Sequence, residues 1–333
     1  MENLISQTGN IAFVQDNPAF ATERPYLYVL PEEAAFPITN CTFSSETPTK
    51  LHSCRQPSYE NDFKKNGFAF LQSPLEHHNL EDAIGKDVPP HELIDYLQSI
   101  RDIARNYVRA QSAIVFDWRF RRAADTDKAD IIEEDNIDRQ NLTRPAYKAH
   151  ADFSPAGGWM TMQSYLSDEE YAEVVSGRLR ATVVTCWRSL VPVVIDCPLA
   201  FCARESVLDD DCVPFDRVDG SASGSQGMFL KQNDNQKWYW LPQQTSDEVS
   251  IFEGWDSMES GYKAHTFHAA FRNCEALLST NRSFTTRFGR AILTLQVENI
   301  AYVLKVPLRL LICLDLPNWM IDAIYFSLFL LMR

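Results

Sequence analysis

Apolar positions recur along this chain at two different spacings, one typical of a helix and the other typical of short strands. The helical spacing follows Pro89-Pro90, where apolar residues recur at steps of three and four positions: Leu93, Ile94, Leu97, Ile100, Ile103, Ala104, Tyr107 and Val108. Such a repeat places the apolar side chains on one face. The segment therefore predicts a helix that packs on a sheet.

Short runs rich in β-branched and aromatic residues make up most of the remaining pattern, and Asp, Gly, Ser and Pro separate them. We predict strands at 26–30, 67–71, 113–118, 181–187, 191–195, 228–230, 238–241, 249–252 and 290–295. A capping box at 167–170 predicts one further short helix, which Gly177 can end. Many short strands without regular helices between them favour an antiparallel sandwich or barrel. The predicted fold is mainly β with flanking helices, on a double-stranded β-helix core (jelly roll, cupin-like).

We predict one jelly-roll domain over residues 1–295, with residues 1–85 as an N-terminal extension that packs on it. The charged stretch 119–144 is interpreted as a surface loop just before His150, in a position where it could act as a lid. Residues 296–333 form an apolar tail, interrupted by charges and prolines. Its final uninterrupted run is about half of the roughly 20 residues that span a bilayer, so no membrane span is predicted. A docked helix, a membrane-touching tail and a mis-spliced end remain alternatives for it.

Composition narrows the choice of partners. The net charge of −14 argues against nucleic acid or an anionic membrane, since both favour a basic surface. A small-molecule substrate fits better. The eight cysteines lack C-x-x-C spacing, and the N-terminus lacks a secretory signal, so we expect buried thiols and a cytoplasmic protein.

The tripeptide His150-Ala151-Asp152 places an imidazole and a carboxylate two residues apart, on the same face of a strand. A third ligand from a distant strand would complete the two-histidine, one-carboxylate set that holds Fe(II). His265 and His268 are the candidates downstream, and we choose His268 because Ala269 and Ala270 leave room beside a metal. The alternatives are a strand-end histidine beside a solvated aspartate and a core histidine with satisfied hydrogen bonds.

Arg287 follows His268 by nineteen positions, with Ser283 shortly before it. An arginine there can bind the far carboxylate of a keto acid with two parallel hydrogen bonds, and a nearby hydroxyl can assist. An exposed strand arginine is the alternative.

We also predict a substrate pocket that includes Trp187, Arg188 and Tyr239. Core packing is the alternative for the two aromatic residues, since alternate side chains of any strand point inward. Arg188 needs an anionic partner, which is either the substrate or a structural carboxylate such as Asp196 or Asp256.

A family resemblance rests on an ordered set of motifs between about residues 25 and 290. They are 110–117 with Arg121-Arg122, His150-Ala151-Asp152, 186–190, 196–200, 236–242, 247–249, Asp256-Ser257, 268–271 and 282–287. In this order they resemble the fungal AsaB-type hydroxylase/desaturase family, which includes gibberellin desaturase-like proteins and is similar to the CmcJ methoxylation protein. The resemblance implies an Fe(II)- and 2-oxoglutarate-dependent oxygenase of fungal secondary metabolism. It also implies that His150, Asp152 and His268 bind iron and that Arg287 binds 2-oxoglutarate.

One departure from the family pattern lies at 202–207, where an aspartate is missing and the arginine is displaced. This turn supports an alternative, a cupin-like non-catalytic binding protein or pseudo-enzyme of the same fold. A zinc hydrolase could use the same three ligands, although hydrolysis does not require Arg287.

Overall fold

The computed structural model describes residues 6–28, 37–45, 47–76, 80–84, 90–123, 145–218, 225–273 and 292–303. Its helices are α1 (Phe63–Asn66), α2 (His91–Val108), α3 (Pro155–Tyr165) and α4 (Asp168–Val175). Its strands are β1 (Ser6–Ile11), β2 (Tyr26–Tyr28), β3 (Thr47–Ser53), β4 (Phe68–Gln72), β5 (Ser112–Val115), β6 (Arg119–Ala123), β7 (His150–Ala151), β8 (Ala181–Ser189), β9 (Leu199–Cys202), β10 (Cys212–Val218), β11 (Ser225–Leu230), β12 (Trp238–Trp240), β13 (Glu248–Asp256), β14 (His268–Ala270) and β15 (Ile292–Val303).

The strands form two sheets. The first has the order β1-β3-β12-β9-β14-β7-β11-β10-β2, and the second has the order β4-β13-β8-β15-β5, with β6 paired to β15. Nearly all pairings are antiparallel, as expected when hairpins and long returns replace crossover helices. The prediction of a mainly β fold with few helices is confirmed.

Helix α2 follows the predicted apolar repeat. Leu93, Tyr96, Ile100 and Ala104 are buried against the face of the second sheet that carries Val184 and Cys186. Helix α4 begins at the predicted capping box, in which Ser167 and Glu170 satisfy each other's backbone N–H groups. The chain then turns at Gly177, whose φ of 74° is a left-handed conformation that glycine adopts without steric cost.

A second core lies on the opposite face of β8, where the two sheets approach each other. Trp187 packs there with Phe68, Phe201 and Phe252, all buried. Each of the two faces of β8 is therefore covered by its own apolar cluster, and every residue of this strand is buried for that reason. The metal-binding candidates lie at the inner cluster.

Several parts of the described chain differ from expectation. Residues Arg119–Ala123, at the start of the predicted surface loop, form strand β6 instead. Residues 191–195 were predicted as a strand, and this prediction is wrong: they form a turn in which the Ser189 hydroxyl donates to Val191 O, with one isolated bridge from Val193 to Thr245. Helix α3 was not predicted, although Ser154 caps it and Pro155 occupies its first turn.

Strand β15 crosses the boundary that the sequence set between a domain at 1–295 and a tail at 296–333. Residues 304–333 lie outside the described residues, so the domain boundary and the tail remain predictions. No helix in the described ranges is long and apolar enough to cross a membrane.

Candidate metal centre

Three side chains of the first sheet converge at its inner face. His150 lies on β7 and is directly opposite His268 of the neighbouring strand β14, while Asp152 follows β7. The Nε2 atom of His150 lies 3.7 Å from Asp152 Oδ1, and that of His268 lies 3.8 Å from the same oxygen. One ligand atom from each residue lies within 4.8 Å of the others. The structure thus brings together the three residues that the sequence selected.

Hydrogen bonds on the far side of each ring fix its orientation. Nδ1 of His150 donates to Lys148 O at 2.8 Å, and Nδ1 of His268 donates to Thr266 O at 3.1 Å. Because a carbonyl can only accept, each ring carries its proton on Nδ1 and directs the Nε2 lone pair inward. Nε2 of His268 is buried and has no hydrogen-bond partner within the described ranges.

The carboxylate is oriented from a third element. Thr185 of β8, fully buried, donates its hydroxyl to Asp152 Oδ2 at 3.2 Å, which leaves Oδ1 facing the two imidazoles. Burial and positive neighbours act on His150 in the same direction. Burial, followed by the neighbouring His268 and more weakly by Arg121 and Arg217, holds the pKa of His150 well below its usual range. Neutral imidazoles are the form that binds a metal.

This donor set fits a divalent transition metal. Two neutral imidazole nitrogens and one carboxylate oxygen suit Fe(II), and ligands grouped on one side leave the other positions open. The buried Nε2 of His268, which has no hydrogen-bond partner among the residues that the structure describes, also fits, since an unsatisfied buried nitrogen is costly unless another group completes it.

His265 lies elsewhere. Its Nδ1 donates to Gly254 O at 2.6 Å, and burial lowers its pKa to about 4. Residues three positions apart in an extended chain point to opposite faces, so His265 lies on the face opposite His268 and does not join the cluster. This geometry agrees with the choice of His268.

The other predicted site residues do not all lie at the metal site. Arg287 and Ser283 lie outside the described residues. Trp187 is in the aromatic cluster between the sheets, and that cluster reaches the metal site because the Phe252 ring lies 4.5 Å from the His268 ring. Tyr239 lies at the rim of this cluster, with its ring 6.1 Å from that of Phe68.

Arg188 does not reach the site, which corrects the prediction that it lines the same pocket. Adjacent residues on a strand face opposite ways, so Arg188 points toward α2 while Trp187 points inward. Its guanidinium donates to Ser73 O at 2.7 Å and Ser246 O at 2.6 Å. These carbonyls take the place of the carboxylate that we expected, and Asp256 pairs with Arg180 instead.

A small open cleft borders the metal site, and sequence analysis did not identify its walls. His150 and Asp152 lie at its base. Its other lining residues are four basic ones and four apolar ones: Arg119, Arg121, Lys148 and Arg217, with Leu27, Ala146, Phe215 and Phe229. These residues come from several strands, so only the charged run near 119–122 was visible as a local signal.

Known proteins with similar sequences point to one class of enzyme. The chain is 28% identical over 230 residues to the Fe(II)/2-oxoglutarate-dependent dioxygenase nvfI of Aspergillus novofumigatus, covering 68% of this chain and 77% of that protein. It is 31% identical over 134 residues to the gibberellin cluster GA4 desaturase of Gibberella fujikuroi, covering 34% and 39%. The hydroxylase/desaturase efuI of Hormonema carpetanum is 25% identical over 243 residues, covering 68% and 77%.

The fold is shared with a solved structure. The iron and alpha-ketoglutarate-dependent endoperoxidase NvfI superposes with a TM-score of 0.70 at 21% identity, covering 92% of this chain and 99% of that chain. The jelly-roll fold is thereby confirmed. A family described as "Oxidoreductase/YMDC permease-like domain" matches residues 11–283. The chain therefore belongs to that oxidoreductase family, and the resemblance to fungal hydroxylases and desaturases is confirmed.

Proposed function

We propose that this chain is an Fe(II)- and 2-oxoglutarate-dependent dioxygenase that hydroxylates or desaturates a small molecule of fungal secondary metabolism. The observation that carries the proposal is the triad of His150, Asp152 and His268, with both Nε2 atoms directed toward one carboxylate oxygen. The names of the similar fungal proteins support the same chemistry.

In this proposal the three side chains hold Fe(II) and leave positions for 2-oxoglutarate and dioxygen on the open side. With the metal bound there, dioxygen would supply the oxidising power to remove hydrogen from an unactivated carbon, and 2-oxoglutarate would supply two of the electrons that reduce it, being converted to succinate and CO2. Arg287 would pair with the far carboxylate of 2-oxoglutarate, and Ser283 would assist it.

The chain's own contributions are orientation and exclusion of water. Thr185 and the backbone carbonyls of Lys148 and Thr266 fix the three ligands before the metal arrives. Phe201 and Phe252 pack against the His268 ring and keep that side of the site dry. Trp187 and Tyr239 would contribute to the apolar surroundings of the substrate.

The alternatives gain no support. A zinc hydrolase shares the ligand set, but the similar proteins carry names of oxygenases. The changed turn, which had suggested a non-catalytic protein, makes a structural contact: Arg204 forms an ion pair with the buried Glu253. The cytoplasmic location remains a prediction.

Anaerobic titration with Fe(II) and 2-oxoglutarate tests the proposal. The wild type should develop a weak metal-to-ligand charge-transfer band in the visible, and succinate should form once oxygen and a substrate are supplied. His268→Gln should lose the band. His265→Gln is the matched control, because His265 is also buried with Nδ1 on a backbone carbonyl. If the wild type gives no band, or if His268→Gln retains it, the proposal fails.

The role of Arg287 needs a separate test. Arg287→Ala should raise the 2-oxoglutarate concentration that half-saturates the band by about tenfold or more, because an arginine–carboxylate pair is lost. Arg178→Ala removes an equal charge from an exposed pair with Glu173 and should have no effect. Equal half-saturation in all three proteins would remove Arg287 from this role.

A further inference from the structure

A second cavity, of about 150 Å³, lies on the α2 side of β8, away from the metal centre. It is bounded by α2, by the segment 73–76 that follows β4, and by Arg188 of β8. Its polar lining residues are Ser73, Glu76, Tyr96, Ser99 and Arg188. A cavity of this size holds a small molecule. The proposed oxygenase reaction does not use it, because the metal ligands lie on the other side of β8.

Arg188 is the unusual residue of this lining. Its guanidinium is always charged, yet only 2% of the residue is exposed. All its hydrogen bonds to described residues go to neutral oxygens: Ser73 O at 2.7 Å, Ser246 O at 2.6 Å and Ser73 Oγ at 3.0 Å. Its Nε is buried and has no hydrogen-bond partner in the described part of the chain. Carbonyl and hydroxyl dipoles offset only part of a full charge, so this cation is buried without a counter-charge.

The carboxylates closest to this position along the strands pair with other groups. Glu248, next to the strand partner of Arg188, pairs with Arg55, and Asp256 pairs with Arg180. Glu76 is the only acid among the described lining residues, and it is exposed. Burying a cation without an anionic partner is costly. An anion that entered the cavity would remove that cost.

The lining also offers hydrogen-bond donors. Ser73 Oγ accepts from Arg188, which leaves the hydroxyl proton of Ser73 to be donated, and Ser99 adds a second hydroxyl from α2. Together with the guanidinium, these groups are the donors that carboxylate and phosphate oxygens accept from. We propose that this cavity is a binding site for a small oxyanion, a phosphate or a carboxylate, which supplies the counter-charge of Arg188.

Titration calorimetry with orthophosphate and with acetate tests the site. It uses the full chain without added metal, at constant ionic strength and in a buffer free of other oxyanions. The wild type should bind at least one of the two ions saturably. Preference for phosphate would indicate a site for a tetrahedral anion, and preference for acetate would indicate a site for a planar one. Four basic residues also line the cleft beside the metal, so variants at the cavity must show where the ion binds.

Ser99→Glu extends a carboxylate from α2 into the cavity, where it can pair with Arg188. The ion should then bind about tenfold more weakly or not at all, because it would meet a like charge. Gln98→Glu is the matched control: it adds the same charge to the same helix at a position that does not line the cavity, and it should keep the wild-type affinity. In the oxyanion-free buffer, Ser99→Glu should also unfold at a higher urea concentration than Gln98→Glu, since it supplies a counter-charge.

Ser99 is changed rather than Arg188 because Arg188 also holds the segment 73–76 in place through Ser73. A wild type that binds neither ion saturably would overturn the inference. Binding gained only in Glu76→Gln would also overturn it, because Glu76 would then be the counter-ion. Equal affinities in Ser99→Glu and Gln98→Glu would place the ion elsewhere and overturn it as well.

Discussion

Thr185 is the residue whose replacement most directly tests how the metal site is built. It lies in the middle of β8 and its side chain is fully buried. Its hydroxyl donates to Asp152 Oδ2, and the Asp152 side chain is itself buried. Replacing threonine by valine exchanges the hydroxyl for a methyl group of similar size, so the change removes a hydrogen bond without opening a large cavity.

The size of the effect follows from the geometry. A hydrogen bond to a charged group contributes about 1.5–3 kcal/mol, and loss of a group that orients a metal ligand costs about 10–100-fold in metal affinity. The distance of 3.2 Å is longer than the usual separation of about 2.7–2.8 Å for two oxygens. We therefore expect Thr185→Val to weaken metal binding by about tenfold, the low end of that range.

Competition between the protein and a chelator of known affinity, under anaerobic conditions with Fe(II), measures this change. Thr182→Val is the matched control: it lies on the same strand and is also buried, but its hydroxyl donates to Trp255 O at 2.7 Å. Both variants should lose some free energy of unfolding, and only Thr185→Val should lose metal affinity. Equal metal affinities in the two variants would refute the orienting role of Thr185.

Three further predictions concern parts of the fold around the site. Burial raises the pKa of Glu253 to about 7 despite its ion pair with Arg204. The folded state therefore holds this proton more tightly than the unfolded chain, and the resulting stability is present below about pH 4.5 and lost as pH rises toward 7. Glu253→Gln should remove about 2 kcal/mol of the fall in free energy of unfolding between about pH 5.5 and pH 7.5, measured by urea titration; an unchanged pH difference would contradict it. Gly158→Ala should destabilise the protein by about 1–3 kcal/mol because the added Cβ overlaps the Trp255 indole, and unchanged urea midpoints would contradict this. Arg188→Met should lower stability by about 2–5 kcal/mol without changing the charge-transfer band of the folded protein; loss of the band would return Arg188 to the active site.

The three candidate metal ligands, which the structure brings together, could be selected from the sequence because their signal is local. The two-residue spacing of His150 and Asp152 on a strand fixes their common face, whatever the rest of the fold does. The third ligand required a choice between two histidines, which the small residues after His268 decided. The two helices α2 and α4 could be predicted for the same reason. The apolar repeat of α2 and the capping box of α4 are each contained in a short continuous stretch of sequence.

The remaining features depend on contacts between distant elements. Thr185 reaches Asp152 across 33 positions in the sequence, and nothing near either residue indicates this pairing. Arg188 was placed on the wrong side because β8 is buried on both faces, so its sequence shows no regular alternation from which to infer which face is inward. The basic residues of the cleft could not be grouped either, since Arg217 lies on β10 and Lys148 precedes β7, and they come together only in the folded protein.

The position of the site depends finally on strand register. The residues next to the ligands in sequence stabilise the correct register. Ala149 and Ala151 alternate with His150 and Asp152, and they pack in the apolar cluster behind the first sheet. Phe267 and Ala269 do the same on either side of His268. A slip of one residue would drive the imidazole into that cluster and bring a methyl group to the metal position. Burying an imidazole among apolar side chains without a partner is costly, so the apolar residues between the ligands specify the register as strongly as the ligands define the chemistry.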